Sequence, residues 1–132
     1  MKVLDASVLV EYLGEGEHAE ASRAHLQSSS GWLWAPFVID AEVGHALRGN
    51  VRAGEISARA AYVALTDLME MRLQRVSHRF LAERAWELRQ NVSFYDGLYV
   101  ALAEALGAPL VTLDARLAKA PGVEAEIELV ET

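Results

Sequence analysis

The sequence predicts an α/β fold, a parallel sheet of about four or five strands with helices on both of its faces. Two observations carry this. Short apolar runs that read as buried strands alternate with stretches of helical periodicity from one end of the chain to the other. At 132 residues, 52% of them hydrophobic, the chain is also long enough to bury the core such a sheet requires, and residues 1–132 are expected to form one domain.

The elements follow in order. The run VLD (3–5) is a strand that leads directly into a helical pattern from Ser7 to Leu13, and Gly14 and Gly16 mark the turn after it. A second turn, SSSG (28–31), precedes the strand WLWAP (32–36), which leads into the helix FVIDAEVGHALRG. Gly54 marks the next turn. RLQRVS (72–77) is a strand followed by a helix that carries Leu81, Ala85 and Leu88 at helical spacing. In SFYDGLYVALAEALG, Ser93 precedes Asp96 by three residues, the spacing of a capping box at a helix start. GAPLVTLD (107–114) is a Gly-Pro-bounded strand, DARLAKAPG a short helix stopped by Pro121 and Gly122, and EIELV a last strand. There is no internal repeat.

Composition excludes several classes. With no cysteine there are no disulfides, no thiol nucleophile and no thiolate-bound zinc. The apolar run after Lys2 is broken at once by Asp5, unlike a signal peptide, and no uncharged stretch approaches the roughly 18 residues of a membrane span, so a soluble, cytoplasmic protein is expected. The net charge of −7 is unevenly spread. Residues 48–89 hold eight arginines against five acids, a segment able to face phosphates, although for any single residue a solvated helix surface of mixed charge is the better explanation.

Four acids occupy similar places. Asp5 and Asp114 each end an apolar strand, Asp96 opens a helix, and Glu42 lies early in the helix after WLWAP. In a parallel sheet those places converge at the carboxyl edge, where open α/β sheets bind ligands. Each acid also has an ordinary explanation, because Asp is a preferred N-cap and acids suit the first turn of a helix. Asp40 and Glu42 flank opposite sides of the Ile39, Val43, Ala46 and Leu47 stripe, so periodicity does not choose between them. Clustered carboxylates repel one another unless a cation neutralises them, and hard divalent ions such as Mg²⁺ or Mn²⁺ take oxygen ligands and waters without needing His or Cys. The hydroxyls of Ser7 and Thr112 are placed to hydrogen-bond such carboxylates, with local capping and β-propensity as the alternative.

The motifs LDASVLVEYL, P-x-x-x-x-A-E-V with Glu42, and YDGLYVALAEALGAPLVTLDARL together resemble the PIN-domain ribonucleases, in particular the VapC-type toxins of toxin–antitoxin pairs. The likeness runs end to end, with no motif in residues 50–90. It implies a PIN-type sheet and a metal-dependent endoribonuclease using Mg²⁺ or Mn²⁺. It implies Asp5, Glu42, Asp96 and Asp114 as catalytic and metal-binding acids, thereby selecting Glu42 over Asp40, with Ser7 and Thr112 in support. Gly97 stands where the family more often has alanine, a change expected to loosen the helix start.

By the same resemblance the partners are an RNA substrate, a VapB-like antitoxin and a second copy of the chain in a homodimer. Candidate antitoxin contacts are Leu65, Leu68 and Met69 and the surroundings of Trp32 and Trp34, and candidate RNA contacts are Arg48, Arg52 and Arg75. The four histidines are read as surface residues. Two other classes compete. One is a non-catalytic PIN-like binding module; the other, a phosphoacceptor receiver domain, needs an acceptor Asp on a mid-chain strand, where only Asp67, in a helical pattern, is present.

Overall fold

The computed structural model describes residues 1–131; Thr132, the last residue of the expected 1–132 domain, lies outside them. Five strands, β1 (Lys2–Leu4), β2 (Leu33–Pro36), β3 (Gln74–Val76), β4 (Leu110–Thr112) and β5 (Ile127–Leu129), form one sheet in the order β3-β2-β1-β4-β5. Every neighbouring pair is parallel. Six helices connect them: α1 (Ala6–Leu13), α2 (Ala19–Gln27), α3 (Val38–Arg52), α4 (Ala58–Glu70), α5 (Ala82–Glu87) and α6 (Phe94–Leu106).

Handedness places the helices. The chain steps outward from β1 to β2 to β3, so right-handed crossovers put α1 to α4 on one face. It then returns past β1 to lay down β4, which puts α5 and α6 on the other. The packing agrees: α1 touches α2, α3 and α4, whereas α6 lies against α5 and over β1, β2 and β4. The direction of strand addition therefore reverses between β1 and β4. At that switch point the connections diverge to opposite faces and leave a crevice above the carboxyl ends of the strands.

Local chemistry fixes the helix ends. Asp5 caps α1, and the Ser57 and Ser93 hydroxyls accept from the backbone N–H groups of Ala60 and Asp96 to cap α4 and α6. The Ser93–Asp96 spacing thus marks a real helix start. The α6 segment Gly97–Ala103 is buried throughout, which explains why its sequence is apolar on all sides. Gly107 ends the helix at φ 63°, a left-handed conformation that glycine adopts without a Cβ penalty. Val3, Leu4, Leu110 and Val111 of the central strands are fully buried between the two helical layers.

Three expectations are modified. DARLAKAPG forms only a three-residue 3-10 turn, Leu117–Lys119, because the few residues between the turn at Asp114 and Pro121 leave no room for a longer ladder. The helix after RLQRVS is split: Ser77 caps a 3-10 turn at His78–Phe80, and α5 begins after Leu81. Leu81, Ala85 and Leu88 are nevertheless all buried, as their spacing required. Gly97 has a packing role that the expectation lacked. A Cβ there would stand 3.1 Å from the Cα and carbonyl oxygen of Ala85, so glycine is what lets α5 and α6 approach so closely.

Candidate active site

The switch point is built on Asp5. It follows β1, and its backbone N–H continues the sheet by donating to Val111 O at 3.0 Å. Its side chain is 8% exposed and accepts three hydrogen bonds: from Ala6 N to Oδ1 at 2.9 Å, and from Ser7 Oγ at 2.9 Å and Thr112 Oγ1 at 2.7 Å to Oδ2. Each hydroxyl also accepts a backbone N–H from the end of β4, Leu113 N at Ser7 and Asp114 N at Thr112. Ser7 and Thr112 thus tie the ends of β1 and β4 together through one carboxylate oxygen. Asp5 is therefore a helix cap and a crevice residue at once.

Glu42 lies on α3 with its carboxylate toward Asp5, and it accepts a hydrogen bond from the buried Tyr99 hydroxyl of α6 at 2.7 Å. Asp40, which periodicity left equal to Glu42, is elsewhere. Arg75 forks onto both its oxygens at 2.8 Å, tying α3 to β3. Asp96, in the first turn of α6, and Asp114, after β4, line a smaller cleft of about 300 Å³ with Ser93 and Arg116. Asp5 and Glu42 line a neighbouring cleft of about 1040 Å³ with Glu11, His18, His45 and the exposed ring of Tyr95.

The four carboxylates sense one another. Burial pushes the Asp5 carboxyl above its usual range, against its hydrogen bonds from Thr112, Ser7 and Ala6, with the charge of Asp114 adding. Burial likewise raises Glu42, opposed by Tyr99 and reinforced by Asp5 and Asp96. It also raises Asp96, reinforced by Asp5 and Asp114. Asp114 alone is lowered, because Arg116 holds it: Nε donates to Oδ1 at 3.0 Å, an Nη to Oδ2 at 2.9 Å, and the Arg116 backbone N–H to Oδ1 at 2.9 Å.

These donors suit a hard divalent cation. They are oxygen-only, they share excess negative charge, and burial makes that charge costly. Among the described residues no group of three or more His, Asp or Glu side chains lies close enough together to hold a metal ion by itself. Mg²⁺ needs none, since it keeps several waters and is held through one or two carboxylates.

Residues 2–123 match the family described as PIN domain. The chain is also 50% identical over 132 residues to Ribonuclease VapC1 of Mycobacterium tuberculosis, spanning 97% of this chain and 96% of that one. The chain belongs to the VapC family of PIN domains. Ribonuclease VapC12 of the same organism is 38% identical over 130 residues, 98% of this chain and 99% of the other. Among solved structures, VapBC2 of Rickettsia felis bound to a promoter DNA fragment matches with a TM-score of 0.68 at 16% identity, covering 98% of each chain. That likeness is one of fold. VapC architecture also separates this chain from receiver domains, whose strands run 2-1-3-4-5.

Other residues land differently from their sequence reading. Tyr99 lies within the YDGLYVALAEALG motif, which assigns it no role; its hydroxyl donates to Glu42. His78 is half-buried, and its Nε2 accepts from Val38 N at 2.9 Å, satisfying a backbone donor at the start of α3. His25 Nδ1 stands 2.5 Å from Glu128 Oε2, which also receives the buried Lys2 ammonium at 2.7 Å. His45 is exposed as expected but faces the larger cleft, which His18 also lines. Arg75, one of the expected RNA contacts, has its guanidinium engaged by Asp40 and by the Leu68 and Leu73 carbonyls. Leu68 is fully buried, whereas Met69 and Trp32 are more than half exposed. No helix among the described residues is long and apolar enough to cross a membrane.

Proposed function

We propose that this chain, as a single domain, is a Mg²⁺- or Mn²⁺-dependent endoribonuclease that hydrolyses RNA phosphodiesters and acts as the toxin of a toxin–antitoxin pair. The observation that carries the reading is the convergence of Asp5, Glu42, Asp96 and Asp114 on the β1/β4 switch point of a chain 50% identical to a VapC ribonuclease.

Asp5, Asp96 and Asp114 would hold the ion, with Glu42 completing the charge. When bound, a divalent ion supplies an acidified water and neutralises charge at the scissile phosphate. The chain's own residues do the positioning. Ser7 and Thr112 donate to Asp5 Oδ2 and fix the carboxylate plane, while the Tyr99 hydroxyl aims Glu42. Ser93 pins the first turn of α6 and with it Asp96. The exposed Tyr95 ring stands at the cleft wall. Metal-assisted hydrolysis of this kind needs no 2′-hydroxyl nucleophile, so by the family likeness the products carry 5′-phosphate and 3′-hydroxyl ends.

The partners follow from the family: a VapB-like antitoxin and a second copy of the chain in a homodimer. The exposed Tyr62, Val63 and Met69 of α4 support an apolar antitoxin segment packing along that helix. Incubation of the antitoxin-free protein with unpaired RNA is the test. Cleavage with Mg²⁺ or Mn²⁺ and none in excess chelator is expected; undiminished cleavage in chelator refutes the metal mechanism.

A further inference from the structure

Among the described residues, Arg116 is the one arginine lining either cleft of the candidate site. Its guanidinium takes both oxygens of Asp114 in a fork, yet its side chain is 88% exposed while that of Asp114 is 24% exposed. A fork this open to water is weak and easily exchanged. The carboxylate is also held independently of the fork, because the Arg116 backbone N–H donates to Oδ1 and the Thr112 hydroxyl accepts from Asp114 N. Loss of the guanidinium therefore leaves Asp114 in place. Asp96 lies within the field of the same guanidinium.

We infer that Arg116 is a cis latch that occupies Asp114 in the metal-free protein and, displaced by the divalent ion, moves to the substrate phosphate. The inference rests on the proposed metal-dependent ribonuclease reading. Three features support it. The latch competes for the same oxygens an ion would take. Its release puts a long, mobile, permanently charged fork beside a site otherwise lined by acids. A polyanionic strand approaching those acids needs a cation there, and among the described residues no lysine or other arginine lines either cleft.

Mn²⁺ titration followed by electron paramagnetic resonance separates the outcomes. Arg116→Ala is expected to bind Mn²⁺ about two- to fivefold more tightly than wild type, the scale of an exposed charge pair. Its affinity for an unpaired RNA oligomer, read by fluorescence anisotropy with Ca²⁺ in place of Mg²⁺, falls, and the salt slope drops by about one. Arg116→Lys keeps the salt slope but binds Mn²⁺ more tightly than wild type, since an ammonium does not reproduce the fork. Equal or weaker Mn²⁺ binding by Arg116→Ala overturns the latch, and an unchanged RNA affinity and slope overturn the transfer to phosphate. Absence of Mn²⁺ binding in wild type and variant alike overturns the metal-site reading itself.

Discussion

Replacing Tyr99 with phenylalanine removes one oxygen and nothing else from the core. The ring is 1% exposed and stays packed, so the variant loses the 2.7 Å hydrogen bond to Glu42 without opening a larger cavity. A hydrogen bond to a charged acceptor is worth about 1.5–3 kcal/mol, and water reaching the half-buried carboxylate recovers part of it, leaving a cost of about 1–1.5 kcal/mol. For a chain of this size that lowers Tm by about 4–6 °C. The effect carries a pH signature. The Tyr99 hydroxyl holds Glu42 down against burial, so its loss raises the Glu42 pKa further. The stability gap between wild type and variant is then full above the pKa of Glu42 in the folded protein and shrinks as pH falls through it.

Urea melts of wild type, Tyr99→Phe, Glu42→Ala and the double variant, all metal-free, close a cycle with an expected coupling of about 1 kcal/mol. RNA cleavage by Tyr99→Phe should fall roughly tenfold in kcat with KM little changed, because the residue positions Glu42 and touches no substrate. An additive cycle with unchanged melting would refute the idea that Tyr99 orients Glu42.

Asp96→Asn tests ligand against cap, since the Ser93 cap uses the Asp96 backbone N–H and survives the change. Metal-free, the variant should melt at or above wild type because repulsion from Asp5 and Asp114 is relieved, and Mg²⁺ should raise its Tm less than that of wild type. Equal Mg²⁺ shifts would leave Asp96 a cap residue. The raised carboxyls of Asp5, Glu42 and Asp96 cost stability at neutral pH, a cost relieved as pH falls through their folded pKa values. Glu128 is lowered, the Lys2 and His25 contacts outweighing burial, and Asp114 is lowered by Arg116; both lose their contribution only below the usual carboxylate range. Metal-free Tm should therefore rise as pH falls from neutral through the raised folded-state pKa values of these carboxyls, and fall at stronger acid; scanning calorimetry showing a monotonic fall contradicts these shifts. Arg75→Ala should cost about 1–3 kcal/mol in chemical denaturation by stripping Asp40 and two carbonyls of their donor, and should leave the RNA salt slope unchanged.

What the sequence determined by itself is what local spacing encodes. Strand-to-helix corners at Asp5 and after WLWAP, the Ser93 cap three residues before Asp96, and the apolar envelope of α6 all follow from near neighbours and elementary packing. Strand ends and helix starts singled out the four acids, and the motif resemblance chose Glu42 over Asp40. Tertiary structure decided what depends on residues far apart in the chain. The β3-β2-β1-β4-β5 order, which makes the ends of β1 and β4 adjacent, is set by crossover handedness and by the return of the chain past β1. Only that adjacency lets Thr112 reach Asp5 across 107 positions and Tyr99 reach Glu42 across 57. The same distance hides the fate of Asp40, whose partner Arg75 lies 35 residues on, and the reason for Gly97, which is the backbone of Ala85 rather than anything in its own helix. One-dimensional periodicity assigns a residue to a face; the partner across that face is chosen by packing, because hydrogen bonds and close contacts act over a few ångströms whatever the chain distance.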